Sequence, residues 1–434
     1  MKSETKQKLI KGGGLVALAA LFIVWAVKEK PSIAGFFAAL VSACLFAALC
    51  LRFVPVWLKS WSIGEESLPA AGETEKGEML KIFLLTLLWD ATLVAVVTAV
   101  RALAGESTSV SFWRCTDSQH YLAIAEDWYL SEGSIDRLVQ LVFLPGYPLL
   151  VRLVSFAAGD YLLAGMLVSA LCFAGSACLF YKLMLLDMDR EKALRGLCFM
   201  CAMPGVFFYA APMSESLFLL LSLCCVYCAR RGKFLPACAF GALAAFTRSV
   251  GLALMVPVLF ELAAQKRKFR DYLALLIIPI GFGAYCYINY TVSGDAFKFM
   301  QYQSEHWNQH FGLFFNTAAY QTDYALATFS AKPKVFFGLW LPNLLAQLFT
   351  LAVMCGGVRK IRASYSAYFI ACFFVAVGAT WLLSAPRYML VMFPLSAALA
   401  ELSEKRSRGV LLYVLCLVFG LAYLVAFALR WQVW

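Results

Sequence analysis

Charge is what this chain has least of. Asp, Glu, Lys and Arg make up 15% of its 434 residues, against roughly 25% in soluble domains, and that excludes a soluble domain of useful size. Histidine is scarcer still, with three copies, which leaves little material for a metal site. No internal repeat at a solenoid period is present. Cysteine is plentiful, at fifteen copies, yet a disulfide framework and metal-ligand spacing are both missing. Runs such as Leu223-Cys224-Cys225-Val226 and Leu171-Cys172-Phe173 place the thiols among apolar neighbours, where Cys acts as a small buried hydrophobe.

What is there is apolar, at 62% of the chain. The fold class this implies is all-α, a polytopic membrane protein. Apolar runs recur from residue 13 to residue 430. Several are shorter than the roughly 20 residues of a simple crossing, so some must be tilted, re-entrant or shielded by neighbours, and about 11 to 14 membrane helices are expected. Gly13 to Val27 leads through Lys28-Glu29-Lys30 straight into a second apolar run and reads as a retained anchor.

The net charge of +11 does not point to nucleic acid. Its basic residues fall in short clusters between apolar runs: Lys2/Lys6/Lys8/Lys11, Arg230/Arg231/Lys233, Lys266/Arg267/Lys268/Arg270, Arg359/Lys360/Arg362 and Lys405/Arg406/Arg408. That is the positive-inside pattern of cytoplasmic loops, and no contiguous basic face remains once they are assigned. With the N-terminal lysines inside, residues 104 to 137 and 293 to 334 lie outside, so the two long polar loops share one face. The crossing number between residues 138 and 183 stays open. Pro145 and Pro148 make the first of the two runs there the irregular one.

Residues 1–57 read as an N-terminal transmembrane hairpin, 58–79 as an acidic cytoplasmic linker, and 80–434 as the main membrane body. Ionisable residues near hydrocarbon cost free energy and are functional candidates by default. Asp117 and His120 stand in Trp113-Arg114-Cys115-Thr116-Asp117-Ser118-Gln119-His120-Tyr121. Tyr147 lies in Phe143-Leu144-Pro145-Gly146-Tyr147-Pro148, Glu215 in Pro212-Met213-Ser214-Glu215-Ser216, Arg248 in Phe246-Thr247-Arg248-Ser249-Val250-Gly251, and Arg387 with Tyr388 in Ser384-Ala385-Pro386-Arg387-Tyr388. Each stands at a break between apolar runs on the same side. Singly, Glu215 could cap its helix, Arg248 pair with it and Arg387 snorkel. Jointly they would need one another as partners.

His306 and His310 are spaced i,i+4, as a zinc pair requires, but no Glu stands between them as in the metalloprotease motif, and no metal is expected. Asp90 lies well inside its span and reads as a structural or cytoplasm-side residue.

Four of these motifs, in order, resemble the PIG-V-like mannosyltransferases, integral membrane glycosyltransferases of the GT-C class. That family's pattern runs Trp-Asp-x-x-His-Tyr, Phe-Phe-Pro-x-Tyr-Pro, Ser-Glu-Ser-Leu-Phe and Thr-Arg-Ser-x-Gly. Here Asp117 to Tyr121, Phe143 to Pro148, Ser214 to Phe218 and Thr247 to Gly251 look similar. The Gln301 to His310 loop and Arg387-Tyr388 also look similar to family positions. Thr116 replaces the family's Trp.

The resemblance implies a GT-C-type bundle with its active site on extracytoplasmic loops, a polyprenyl-phosphate sugar donor, most often a mannosyl one, and a glycan or glycolipid acceptor. The lipid-phosphate sugar would be the donor substrate, with no cofactor. The chemistry fits the residues on its own terms. Asp117 is the candidate general base for an attacking sugar hydroxyl. Arg248 and Arg387, with His120 or His306 assisting, suit the departing phosphate. Tyr121, Tyr147 and Trp307 could stack on sugar, and Glu215 could orient Arg248. The rival readings are a transporter or flippase of lipid-linked sugars, with polar residues near the bilayer midplane, and a non-catalytic subunit of a glycan-assembly complex. Compact loops favour a bacterial plasma membrane over the endoplasmic reticulum.

Overall fold

The structure is a computed structural model and describes residues 2–63, 74–130, 137–309, 312–378 and 382–433, among which every regular element is helical. Among the described residues, seven helices are long and apolar enough to cross a membrane, with four shorter apolar helices beside them.

The chain opens with α1 (Lys2–Glu29) and α2 (Ile33–Ile63), then α3 (Glu78–Leu103). A stretch of short elements follows: a 3-10 turn at Val110–Trp113, α4 (Ser118–Asp127), further 3-10 turns at Trp128–Leu130 and Arg137–Val142, and α5 (Gly146–Ala158). The body continues with α6 (Tyr161–Met184), α7 (Arg190–Ala202), α8 (Glu215–Arg230), α9 (Phe234–Thr247) and α10 (Met255–Ala264). Then come α11 (Phe269–Tyr272), α12 (Ile278–Ser293), α13 (Lys298–Trp307), α14 (Phe314–Thr328) and α15 (Pro333–Val335). The last five are α16 (Leu341–Gly357), α17 (Ala363–Val377), α18 (Ala385–Leu390), α19 (Pro394–Leu402) and α20 (Arg406–Ala428).

The basic clusters gather on one face. Lys266 Nζ donates to the Trp61 carbonyl at the end of α2 (2.8 Å), Arg362 pairs with Glu261 near the end of α10, and Lys360 pairs with Glu404 just beyond α19. At the opposite, far face, Arg101 Nη1 donates to the Ala428 carbonyl (2.8 Å), joining the ends of α3 and α20. The N-terminal hairpin is docked on the body. α2 lies against α14 and α16, and Trp25, Ala39 and Leu49 belong to the same buried core as the body helices. α2 also runs on to Ile63, past residue 57, where the sequence placed the start of a linker. Of the linker's acidic residues, Glu65, Glu66 and Glu73 lie outside the described residues.

The open crossing number is settled by side-chain contacts. Near the end of α6, Tyr181 donates to Glu78 and Cys178 donates to the Met79 carbonyl, both at the start of α3. α3 and α6 are therefore antiparallel, and α6 starts from the face to which α3 delivered the chain. α5, with 13 residues, is about 20 Å long, short of a roughly 30 Å hydrocarbon core. It turns back at Gly159 in the left-handed region, and Asp160 then caps α6 by accepting from the Leu163 N–H (2.8 Å). The run expected to be irregular is thus a regular helix that fails to cross. Pro145 sits just before it and Pro148 in its first turn, where a missing N–H has no intrahelical partner to lose.

Candidate active site

Asp117 is delivered by a tight turn. Ser118 Oγ accepts from the Cys115 N–H (2.8 Å) and donates to the Trp113 carbonyl (2.7 Å), which closes the backbone around residues 113 to 118. Thr116, the residue standing where the family carries Trp, has φ 51°, a left-handed value uncommon for a β-branched side chain. Asp117 then stands at the N-cap position of α4, where its side chain makes no capping bond.

Two glycines bring the neighbouring motifs into register. A Cβ on Gly146 would stand 2.5 Å from Thr247 Oγ1, and one on Gly251 would stand 2.4 Å from the Ala245 nitrogen. Only a residue without a side chain lets the start of α5 press on the end of α9, or lets the turn after Arg248 fold back on α9.

The far-face ends of α4, α8, α9 and α18 meet in a ring of four charges. Arg387 Nη1 donates to Asp117 Oδ2 at 2.7 Å. Its Nε and Nη2 both donate to Glu215 Oε1, at 2.9 and 2.7 Å. Arg248 Nη1 donates to the same Glu215 oxygen (2.8 Å) and to Ser214 Oγ (3.0 Å), which is 2.9 Å from the Tyr121 hydroxyl. The Arg248 guanidinium lies over the Tyr388 ring at 5.2 Å. Glu215 is fully buried and Arg387 nearly so, whereas the Asp117 side chain keeps 31% of its surface exposed. Two carboxylates balance two guanidiniums, which is the condition for burying ions at all.

This ring faces a cavity of about 160 Å³. Asp117, Tyr121, Arg248, Trp307, Arg387 and Tyr388 all lie on its wall, so six of the ten residues singled out from the sequence converge there, with Glu215 directly beneath. The other three are placed differently. Tyr147 is fully buried, not on the wall, and its hydroxyl donates to the Gly165 carbonyl (2.8 Å) beside Ser169 Oγ (2.9 Å). It pins α5 to α6, and its ring has no face left for a sugar. His120 is not on the wall either; it stacks on Phe143 with ring centroids 4.7 Å apart. Burial holds His120 below its ordinary pKa, against the opposing pull of Asp117. His306 stacks on Tyr302 at 5.6 Å, off the wall, and His310 lies outside the described residues, so no histidine pair is described. Asp90 is buried in α3 with Oδ1 lacking a hydrogen-bond partner, away from this ring.

The sequence reading singled out the Gln301 to His310 loop, the Thr247 to Gly251 motif and the Ser384 to Tyr388 stretch, but not the neutral side chains by which they line the wall. Gln303, Gln309, Ser249 and Ser384 line it beside Trp307. Gln303 precedes Trp307 by one helical turn on α13, so the i,i+4 spacing was a signal available in the sequence.

Comparison with known proteins adds three findings. Residues 84–280, just under half of the chain, match the family described as Mannosyltransferase (PIG-V). Two solved structures are similar at 15% and 14% identity: ArnT from Cupriavidus metallidurans bound to undecaprenyl phosphate, and the same protein in the apo state. The first has a TM-score of 0.47 and covers 75% of this chain and 62% of that one; the second has 0.40, with 79% and 76%. This chain thus spans about 62% of the length of the first. No curated protein matches. The matched segment holds all four ordered motifs and with them Asp117, Glu215 and Arg248, while α13 and Arg387 lie beyond it. Over residues 84–280 the chain is PIG-V-like, matching the mannosyltransferase family that its motif order resembles.

Proposed function

We propose that this protein is a membrane glycosyltransferase. It moves a sugar, with mannose the first candidate, from a polyprenyl-phosphate donor to a glycan or glycolipid acceptor on the non-cytoplasmic side of a bacterial plasma membrane. The observation that carries this reading is Asp117, a carboxylate on the wall of a cavity that also presents Arg248 and Arg387. In the reaction, an acceptor hydroxyl oxygen attacks the anomeric carbon and its proton passes to Asp117. The bond from that carbon to the phosphate oxygen breaks, and the electron pair leaves with the lipid phosphate. Direct displacement inverts the anomeric centre.

Each residue has a share in this. A positioned carboxylate base contributes about 10²- to 10⁴-fold. The two guanidiniums meet charge that grows as the phosphate departs, and both are largely buried, which strengthens their pull on it. Glu215 anchors both guanidiniums through one oxygen and keeps them aimed. Tyr121 and Trp307 offer ring surface to a sugar, and Tyr388 supports Arg248 from below.

The test uses purified protein in detergent with labelled polyprenyl-phosphate mannose and a panel of acceptors. Label should move to an acceptor with the wild type and not with Asp117→Asn, which should fold normally. Turnover by that variant at the wild-type rate would remove Asp117 as the base. Movement of intact lipid-linked sugar across vesicles without transfer would replace the reading with a flippase.

A further inference from the structure

The base and the phosphate ligand of the proposed reaction are bonded to each other in this structure. Asp117 Oδ2 occupies Arg387 Nη1 at 2.7 Å, so a carboxylate lone pair and a guanidinium hydrogen are both in use before any substrate arrives. The ring is already neutral, with Asp117 and Glu215 against Arg248 and Arg387. A lipid phosphate brings at least one further negative charge into that space. Like charges held a few ångströms apart in a poorly solvated site repel strongly, so one carboxylate must give way.

The two carboxylates are not held alike. Glu215 is fully buried and accepts three guanidinium hydrogen bonds. Asp117 accepts one, and nearly a third of its side chain is exposed to the cavity. The residue before it, Thr116, is held in the left-handed region, a strain that a shift of the turn would release.

We propose that the Asp117–Arg387 ion pair is a resting contact that the donor's phosphate opens, taking Arg387 for itself and freeing Asp117 to receive the acceptor's proton. Arg387 is then a positioning residue for Asp117 before donor binding and a phosphate ligand after it. The base is unmasked only when a donor is in place, which orders the reaction: donor first, acceptor second. This rests on the reading above that Arg248 and Arg387 hold the phosphate.

The experiment titrates undecaprenyl phosphate, without sugar, into the full-length protein in detergent by calorimetry. Asp117→Asn removes the competitor for Arg387 and should bind at least about tenfold more tightly than the wild type, as expected when a charge-assisted hydrogen bond no longer has to be broken. Equal or weaker binding by that variant overturns the exchange and leaves the phosphate reading standing. Glu126→Gln removes an exposed far-face carboxylate that pairs with Arg114 and should leave affinity unchanged; a gain matching that of Asp117→Asn would reduce the effect to the general field and overturn the exchange. Affinity unchanged by both Arg248→Ala and Arg387→Ala would remove the phosphate reading itself. Should Asp117→Asn fold poorly, a structure of the wild type with the lipid phosphate bound decides the matter. Arg387 Nη1 should contact phosphate, with Asp117 Oδ2 beyond the ion-pair limit of about 4 Å; a retained pair overturns the exchange.

Discussion

α8 carries a ring of two carboxylates and two guanidiniums at each end, and the two rings differ in what surrounds them. At the far face Glu215 opens the helix and meets Arg248, Arg387 and, through Arg387, Asp117. At the basic face Arg230 closes it and meets Asp187, while Glu261 takes Arg362 through two parallel bonds of 2.6 and 3.0 Å. In this second ring, hydroxyls add further bonds: Ser364 donates to Glu261 (2.6 Å), and Tyr365 accepts from Arg230 and donates to Asp187, while Arg230 Nε and Nη2 have no hydrogen-bond partner among the described residues. None of its four charges lies on the wall of the cavity at the other end. Equal charge and similar burial thus give a clamp at one end and a candidate site at the other. The cavity lined by Asp117, Arg248 and Arg387 marks the far-face ring.

The comparison can be broken by exchanging the expected phenotypes. Asp117→Asn should lower turnover by about 10²- to 10⁴-fold with a smaller loss of thermal stability than Glu261→Gln, because Asp117 is the more exposed carboxylate and holds its ring through one bond. Glu261→Gln should do the reverse. It leaves Arg362 and Arg230 short of a buried counter-charge and should cost about 3 to 5 kcal/mol of stability, read as a fall in Tm, with turnover per folded molecule retained. Loss of turnover without loss of stability in Glu261→Gln would mean that the basic-face ring also serves the reaction.

A smaller effect sharpens the boundary of the site. Tyr147→Phe should cost about 1 kcal/mol, the worth of a buried hydrogen bond, and leave KM for the donor unchanged. A raised KM would return Tyr147 to the sugar.

The smallest effect is on His120. Its folded-state pKa is depressed by burial, so the unfolded chain binds the proton more readily. The stabilisation from keeping this ring neutral is complete above the unfolded value of about 6.5 and is lost as pH falls through the folded value. Melting curves below neutral pH should flatten in His120→Phe, an aromatic replacement that can keep the stack on Phe143; an unchanged acid dependence would show the ring is not protonated on unfolding.

The two rings were unequally legible in the sequence. Asp117, Glu215, Arg248 and Arg387 each stand alone at a break between apolar runs, where an unpaired charge is conspicuous. Arg230 and Arg362 stand inside the basic clusters Arg230/Arg231/Lys233 and Arg359/Lys360/Arg362, so the same pattern that sets topology hid the fact that one arginine of each turns inward. Hydropathy also could not place Tyr147, because which side of a short helix faces a cavity depends on the partner it packs against, here Gly165 and Ser169 of α6. The all-helical membrane architecture was readable from the apolar runs themselves. The failed crossing of α5 needed the contacts between α3 and α6.

The helix that joins the two rings also fixes a depth. α8 has 16 residues, about 24 Å from end to end, less than the roughly 30 Å of a bilayer's hydrocarbon core. Locked by ion pairs at both ends, it cannot lengthen to follow a thicker membrane. In a bilayer of that thickness the two rings cannot both stand at the level of the lipid phosphates, so α8 fixes how far apart the two faces of the protein are held. On the proposed function, turnover should therefore depend on bilayer thickness, read by comparing vesicles of short-chain and long-chain lipids.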